Sequence, residues 1–198
     1  MADLFADDTP KQHGEKLHAD APLADRIRPA SLQEIIGQDH ITGPDGAIGR
    51  MVAAGKLSSL ILWGPPGTGK TSIARLLADS VNMHYMAVSA VFSGVADLKK
   101  AFAEAEKVAQ MGKKTLLFVD EIHRFNKAQQ DGFLPFVERG VVTLVGATTE
   151  NPSFELNAAL LSRAQVLVLN RLDDEALEAL LARAEQEQGN PLPVNAEA

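Results

Sequence analysis

The sequence predicts an α/β fold: a mostly parallel five-stranded sheet flanked by helices, followed by the start of a helical lid domain. Three observations carry this. Short apolar runs alternate with amphipathic stretches from Leu57 to Leu169. A glycine-rich loop, Gly64-Pro65-Pro66-Gly67-Thr68-Gly69-Lys70-Thr71, directly follows the apolar run Leu60-Ile61-Leu62-Trp63. A later run, Leu116-Leu117-Phe118-Val119, is apolar at every position, as a strand buried on both faces requires, and it ends on Asp120-Glu121.

Residues 1–21 are polar, charged and without a sustained period, and read as a flexible N-terminal arm with a small apolar spot at Leu4 and Phe5. Pro22 to Gly49 holds turn formers and short apolar pieces (Leu32, Ile35, Ile36), and a helix is expected across Gly49–Gly55. Leu57–Trp63 reads as a strand, and Lys70–Val81 as a helix with Ile73, Leu76 and Leu77 on one face. His84–Val88 is a second strand. Ala96–Met111 is an amphipathic helix with Leu98, Phe102, Ala105 and Ala109 inward. Thr115–Val119 is the third strand, and Phe125–Val137 is helical in pattern, ending before Gly140. Val141–Ala147 is a strand, Phe154–Leu161 a short helical stretch and Ala164–Leu169 a fifth strand. Asp173 and Asp174 can cap a helix over Glu175–Gln188, with Leu177, Leu180, Leu181 and Ala184 on one face. A lone amphipathic helix needs a cover, and the proline-containing tail Gly189–Ala198 supplies none. The sequence therefore reads as an α/β domain over 22–171 and the first helix of a truncated lid over 172–198.

Composition bounds the rest. At 198 residues and 45% hydrophobic, the chain holds one sizeable core. With no cysteine it has no disulfide framework and no thiolate metal site or nucleophile. No apolar run approaches the roughly 18 residues of a membrane span, and the acidic start lacks a signal peptide's basic and apolar regions. Together these predict a cytoplasmic protein that does not engage a membrane. The formal charge is −7, but residues 172–198 hold seven acids and one base, which leaves 19 acids against 18 bases elsewhere. Composition neither supports nor excludes DNA binding. Lys99, Lys100, Lys113, Lys114, Arg124 and Lys127 are candidates for a basic face, against ordinary solvated charge.

Strand, glycine loop, then lysine and threonine opening a helix is the arrangement that holds the phosphates of a nucleoside triphosphate. Backbone N–H groups from Gly67 to Thr71 and the positive helix end surround the β-phosphate. Lys70 reaches between the β- and γ-phosphates, and the Thr71 hydroxyl ligates magnesium. Pro65 and Pro66 stiffen the loop. About 50 residues on, four apolar strand residues deliver Asp120 and Glu121 to the sheet edge where ligands bind in open α/β folds. Asp120 suits a magnesium holder and Glu121 a base for the attacking water, a pairing that points to hydrolysis; the plainer reading is two strand-end polar residues. At the end of Val145-Gly146-Ala147-Thr148-Thr149, Thr149 is preferred over Thr148 for the γ-phosphate or the lytic water. Arg163 either pairs locally with an acid or projects into a neighbouring subunit's site. His123 has no second ligand at metal spacing, and a polar contact relaying ligand state from Glu121 suits it better. Trp63 and Phe118 read as core.

The segments GPPGTGKT, LLFVDEIHRFNKAQQDGFLPFVERG, GATTENPSF and ALLSRAQV together resemble the AAA+ P-loop NTPases. More narrowly they are similar to the replication-associated recombination protein A family, as is PLADRIRPASLQEIIGQDHI over Pro22–Ile41. DEIHRFNKAQQD and GATTENPSF are much more specific than the phosphate loop; clamp-loader subunits and the Holliday-junction branch-migration ATPase are the nearest confusions. The resemblance, over roughly residues 22–188, implies Walker A contacts at Lys70 and Thr71 and a Walker B pair at Asp120 and Glu121. It implies sensor 1 at Thr149, an arginine finger at Arg163, and an adenine pocket lined by the Ile35-Ile36-Gly37-Gln38 stretch. Ser89 falls near a residue that in related ATPases restrains the catalytic glutamate. It further implies ATP and Mg2+ as cofactors, a DNA-dependent ATPase acting at forks, gaps or ends in replication, recombination and repair, and a nucleoid-associated location. Single-stranded-DNA-binding protein and a homo-tetramer are the implied partners. The rival readings are a clamp-loader-like or branch-migration motor, and an ATP-gated adaptor that recruits repair proteins.

Overall fold

The computed structural model describes residues 21–190. Backbone contacts divide them into a main compact unit, Pro29–Ala179, and a small second unit formed by the described residues before 29 and after 179. The arm residues 1–20, with Leu4 and Phe5, and the tail residues 191–198 lie outside the described residues.

In chain order the helices are α1 (Leu23–Arg26), α2 (Asp39–Thr42), α3 (Ala47–Ala53), α4 (Lys70–Ser80), α5 (Val95–Gln110), α6 (Lys127–Asp131), α7 (Leu134–Glu138), α8 (Pro152–Glu155), α9 (Ala158–Leu161) and α10 (Asp174–Gln188). The strands are β1 (Leu60–Trp63), β2 (His84–Ser89), β3 (Thr115–Asp120), β4 (Val142–Thr148) and β5 (Gln165–Val168). They form one five-stranded sheet in the order β2-β3-β4-β1-β5, and every ladder is parallel. Parallel strands need crossovers, and helices of the alternating pattern supply them on both faces.

Side chains alternate between the two faces, so the three central strands β1, β3 and β4 each feed two cores. Leu60, Leu62, Leu116, Phe118, Val145 and Ala147 meet Ile73, Ala74 and Leu77 of α4 together with Leu32, Ile35, Ile41 and Ile48. Ile61, Leu117, Val119, Val142 and Leu144 meet Leu98, Phe102 and Ala105 of α5, along with Phe125, Phe133 and Leu160. The Phe102 ring stacks on Phe136 with centroids 4.0 Å apart and meets Phe133 edge-on at 5.5 Å.

Several expectations need correction. β1 begins at Leu60, not Leu57: Ser59 Oγ accepts the Leu144 N–H at 3.1 Å, a side chain standing in the place of a backbone rung. Phe125–Val137 is not one helix but two, α6 and α7, preceded by a 3-10 turn over Ile122–Arg124. Pro135 inside a continuous helix would clash with the carbonyl four residues back, so the chain restarts and sets Pro135 in the first turn of α7. The expected helix Phe154–Leu161 is likewise split, because Asn151 and Asn157 each cap a separate short helix by accepting from Ser153 N and Leu160 N. Ala109 is exposed, with Val108 inward instead, and Trp63 is half-buried rather than core, whereas Phe118 is buried. On α10 Leu177 and Leu181 are exposed while Ala176 and Ala184 are buried. Asp173 Oδ1 caps α10 by accepting from Ala176 N at 2.9 Å.

Candidate active site

The strand order sets the site. β4 lies between β3 and β1, so the carboxyl ends of these three strands are neighbours. The phosphate loop leaves β1, Asp120 and Glu121 end β3, and Thr148 and Thr149 end β4. The Gly64 N–H donates to Thr148 O at 3.2 Å, pinning the start of the loop to the end of β4.

Gly67 and Gly69 hold φ of +78° and +88°, where a side chain would strain the backbone, and the space a Cβ would take is open at both. Gly69 has no side-chain cap, so the first N–H groups of the eleven-residue α4 have no capping side chain. Thr68 is buried, and its hydroxyl donates to Pro65 O at 2.9 Å, while Pro65, Pro66 and Gly67 are exposed. Lys70 is buried, with Nζ donating to Gly64 O and Pro65 O at 2.7 Å each. Burial lowers its pKa from the ordinary lysine value, and the charges of Glu121 and Asp120 offset part of that.

Asp120 is half-buried at the last position of β3, level with Ser89 of β2. Glu121 follows in the left-handed region, at φ 51° and ψ 45°. A non-glycine residue there costs on the order of 1 kcal/mol or more, a cost that marks functional sites. The turn is held from below by Ile122, buried against the space over Gly146. Glu121 Oε2 is buried without a hydrogen bond and lies 3.3 Å from His123 Nδ1. His123 Nδ1 is in turn 2.8 Å from Thr148 Oγ1. It is thus His123, not Ser89, whose side chain lies against Glu121. Thr148 is fully buried and its hydroxyl also bonds both backbone groups of Glu150, whereas Thr149, the next residue, is half-buried.

Ile35 is a core residue, whereas Ile36 is half-exposed. Sequence reasoning missed the part played by Gln38. It is buried, donates from Nε2 to Asn170 O at 2.8 Å and accepts from Asn170 N at 3.0 Å, fixing the Ile36–Gly37 backbone beside the end of β5. The only available signal was a polar residue beside a glycine in an apolar stretch.

Arg163 is not brought to the phosphate loop. It precedes β5, so the length of that strand, roughly 13 Å, separates it from the loop edge of the sheet. Of the two readings left open for Arg163, the local one is present in this chain: its guanidinium pairs with Glu138 at 2.5 Å and donates to Ala159 O at 2.9 Å. The candidate basic face is also divided. Lys113 and Lys114 precede β3 and Arg124 follows it, at opposite edges of the sheet. Lys99 and Lys100 are exposed on α5, Lys100 lying 3.9 Å from Asp97, and Lys127 Nζ donates to Glu155 O.

The donor set fits a magnesium–nucleotide complex. A hydroxyl (Thr71) and a carboxylate (Asp120) are hard oxygen ligands of the kind magnesium takes sparingly, leaving its other positions to phosphate and water. Among the described residues no group of three or more His, Asp or Glu side chains is placed to hold a metal unaided. Nor is any helix among them long and apolar enough to cross a membrane.

Known proteins resemble this chain over the same region. Replication-associated recombination protein A of Escherichia coli K12 is 50% identical over 167 residues, which are 84% of this chain and 37% of that protein. Its namesake in Coxiella burnetii is 51% identical over 170 residues, 85% of this chain and 38% of that one. ATPase WRNIP1 of Dictyostelium discoideum is 49% identical over 163 residues, 82% of this chain and 19% of that protein. The chain thus spans little over a third of the bacterial relatives' length. Among solved structures, the Thermotoga maritima RuvB Holliday junction branch migration motor superposes with a TM-score of 0.67 at 29% identity, covering 82% of this chain and 55% of that one. The ATPase family associated with various cellular activities (AAA) matches residues 60–172. That span opens on the first residue of β1 and closes beyond β5, so it takes in the whole sheet and the loops at its edge: the chain belongs to the AAA family of ATPases.

Proposed function

We propose that the full protein is a DNA-dependent, magnesium-requiring ATPase of replication-fork maintenance, recombination and repair, working as an oligomer with ATP between subunits. The observation that carries the mechanism is the placement of Lys70, Asp120, Glu121 and Thr149 at one edge of the sheet with Arg163 at the other. A single chain then holds all of a hydrolytic site except its arginine, which a neighbour supplies from its opposite edge.

In this reading the N–H groups from Gly67 to Thr71 cradle the phosphates, with Gly64, Pro65, Pro66 and Thr68 shaping the loop, while Ile36, backed by Ile35, lies against the base. Lys70 leaves the carbonyls of Gly64 and Pro65 for the β- and γ-phosphate oxygens. Thr71 and Asp120 would hold magnesium, which neutralises phosphate charge when bound. Glu121 orients water and accepts its proton as the oxygen attacks the γ-phosphorus, Thr149 hydrogen-bonds the same region, and the neighbour's Arg163 offsets charge in the transition state.

The similarity to replication-associated recombination proteins supports a role in replication-associated recombination. We further propose that the protein acts at forks, gaps or ends, with single-stranded-DNA-binding protein as partner, a tetrameric assembly and a cytoplasmic, nucleoid-associated location. The RuvB likeness favours a second reading, a branch-migration motor. Steady-state ATP turnover of the full-length protein with gapped fork DNA, and with a four-way junction, tests both. Stimulation by the fork supports the first reading and preferential stimulation by the junction the second. Turnover indifferent to either DNA contradicts both and favours an ATP-gated adaptor.

A further inference from the structure

His123 sits at the junction of two strand ends. Its Nδ1 lies 2.8 Å from Thr148 Oγ1, at the last position of β4, and 3.3 Å from Glu121 Oε2, just past β3. The Thr148 hydroxyl accepts from Glu150 N at 3.0 Å and is 3.2 Å from Glu150 O, where it can only donate. With its one hydrogen directed to Glu150 O, the hydroxyl accepts from His123, and Nδ1 carries the proton. The same tautomer is required from the other side, since an unprotonated Nδ1 would face the lone pairs of a carboxylate. One N–H therefore stands before two oxygens, and the carboxylate oxygen among them is buried with no other partner.

Both acceptors hang from fixed backbone. Thr148 is fully buried in the sheet, and Glu121 is fixed in a left-handed backbone turn whose next residue, Ile122, is also fully buried. His123 itself is only 11% exposed at its side chain.

We infer that His123 is a positioning residue for Glu121: its Nδ1–H, shared between Thr148 and the Glu121 carboxylate, sets the direction of that carboxylate and ties it to the end of β4. This rests on the proposed role of Glu121 as the base for water. It gives the turn after β3 a route by which a group bound at Thr149 alters the readiness of Glu121, since Thr148 and Thr149 are adjacent.

The test exploits which ring nitrogen acts. Asparagine places a polar atom near the Nδ1 position, glutamine near the Nε2 position. Full-length protein is assayed for ATP turnover and ATP affinity as wild type, His123→Asn, His123→Gln and Glu121→Gln. His123→Gln should lower kcat about tenfold or more with KM and ATP affinity little changed, because only the orientation of the base is lost. His123→Asn should keep kcat within about threefold of wild type. Equal kcat in the two His123 variants, or a rise in KM matching the fall in kcat, would overturn the inference while leaving the site intact. Wild-type turnover in Glu121→Gln would overturn the base reading itself and the inference with it.

Discussion

Arg163 and Glu138 form an ion pair at the amino-terminal edge of the sheet, the edge away from the phosphate loop. Both side chains are more than a third exposed, so the pair adds only about 0–1 kcal/mol of stability, and its interest lies in where it parks the guanidinium. Arg163→Ala should leave thermal unfolding nearly unchanged and cut ATP turnover of the full-length oligomer by about a hundredfold or more. Mixing Arg163→Ala with Lys70→Ala subunits should restore part of the activity, because some interfaces then pair an intact loop with an intact arginine. Wild-type turnover by Arg163→Ala would sink the assignment.

Lys70 is buried with its pKa lowered, so its charge is held at a cost when no phosphate is present. Between the lowered folded pKa and the ordinary lysine value, the unfolded chain binds the extra proton and stability rises with pH. Below the folded pKa the cost is present in full. Lys70→Met should therefore raise the nucleotide-free Tm at neutral pH, by roughly 2–4 °C for about 1 kcal/mol, while abolishing ATP binding. The gain should shrink as pH climbs through that window; calorimetry across pH reads both.

Gln38 joins the segment before α2 to the end of β5 by two hydrogen bonds to Asn170. Gln38→Ala removes both and should cost about 1–3 kcal/mol in urea unfolding. It should also weaken ATP affinity, because Ile36 and Gly37 lose their anchor. An unchanged nucleotide affinity would separate this clamp from the binding pocket.

A Cβ on Gly146 would come within 2.9 Å of both Ile61 Cδ1 and Ile122 Cδ1, and both isoleucines are fully buried. Gly146→Ala should destabilise by about 1–3 kcal/mol. Because Ile122 follows Glu121 directly, turnover should fall further than ATP affinity does. Equal losses in both would mean that the strain spreads through the whole site.

The apolar runs made the sheet legible, since strands buried on both faces such as Leu116–Val119 have no other reading. The loop and the Asp120-Glu121 pair were legible because their chemistry depends on residue type at fixed spacing. Three things were hidden for physical reasons. The break between α6 and α7 is set by the clash that Pro135 would make one turn back, which an apolar period does not register. The cis partner of Arg163 is an acid 25 residues earlier, joined to it only by the order of the strands. The left-handed turn at Glu121 is followed directly by Ile122 packing over Gly146, a contact across the sheet that no local propensity encodes.

The most direct test of the central claim is ATP binding and ATP turnover measured side by side on full-length Glu121→Gln and Lys70→Ala. The account predicts that Glu121→Gln binds ATP at about wild-type affinity and loses turnover by about a hundredfold or more, whereas Lys70→Ala loses binding. Wild-type turnover by Glu121→Gln would contradict it.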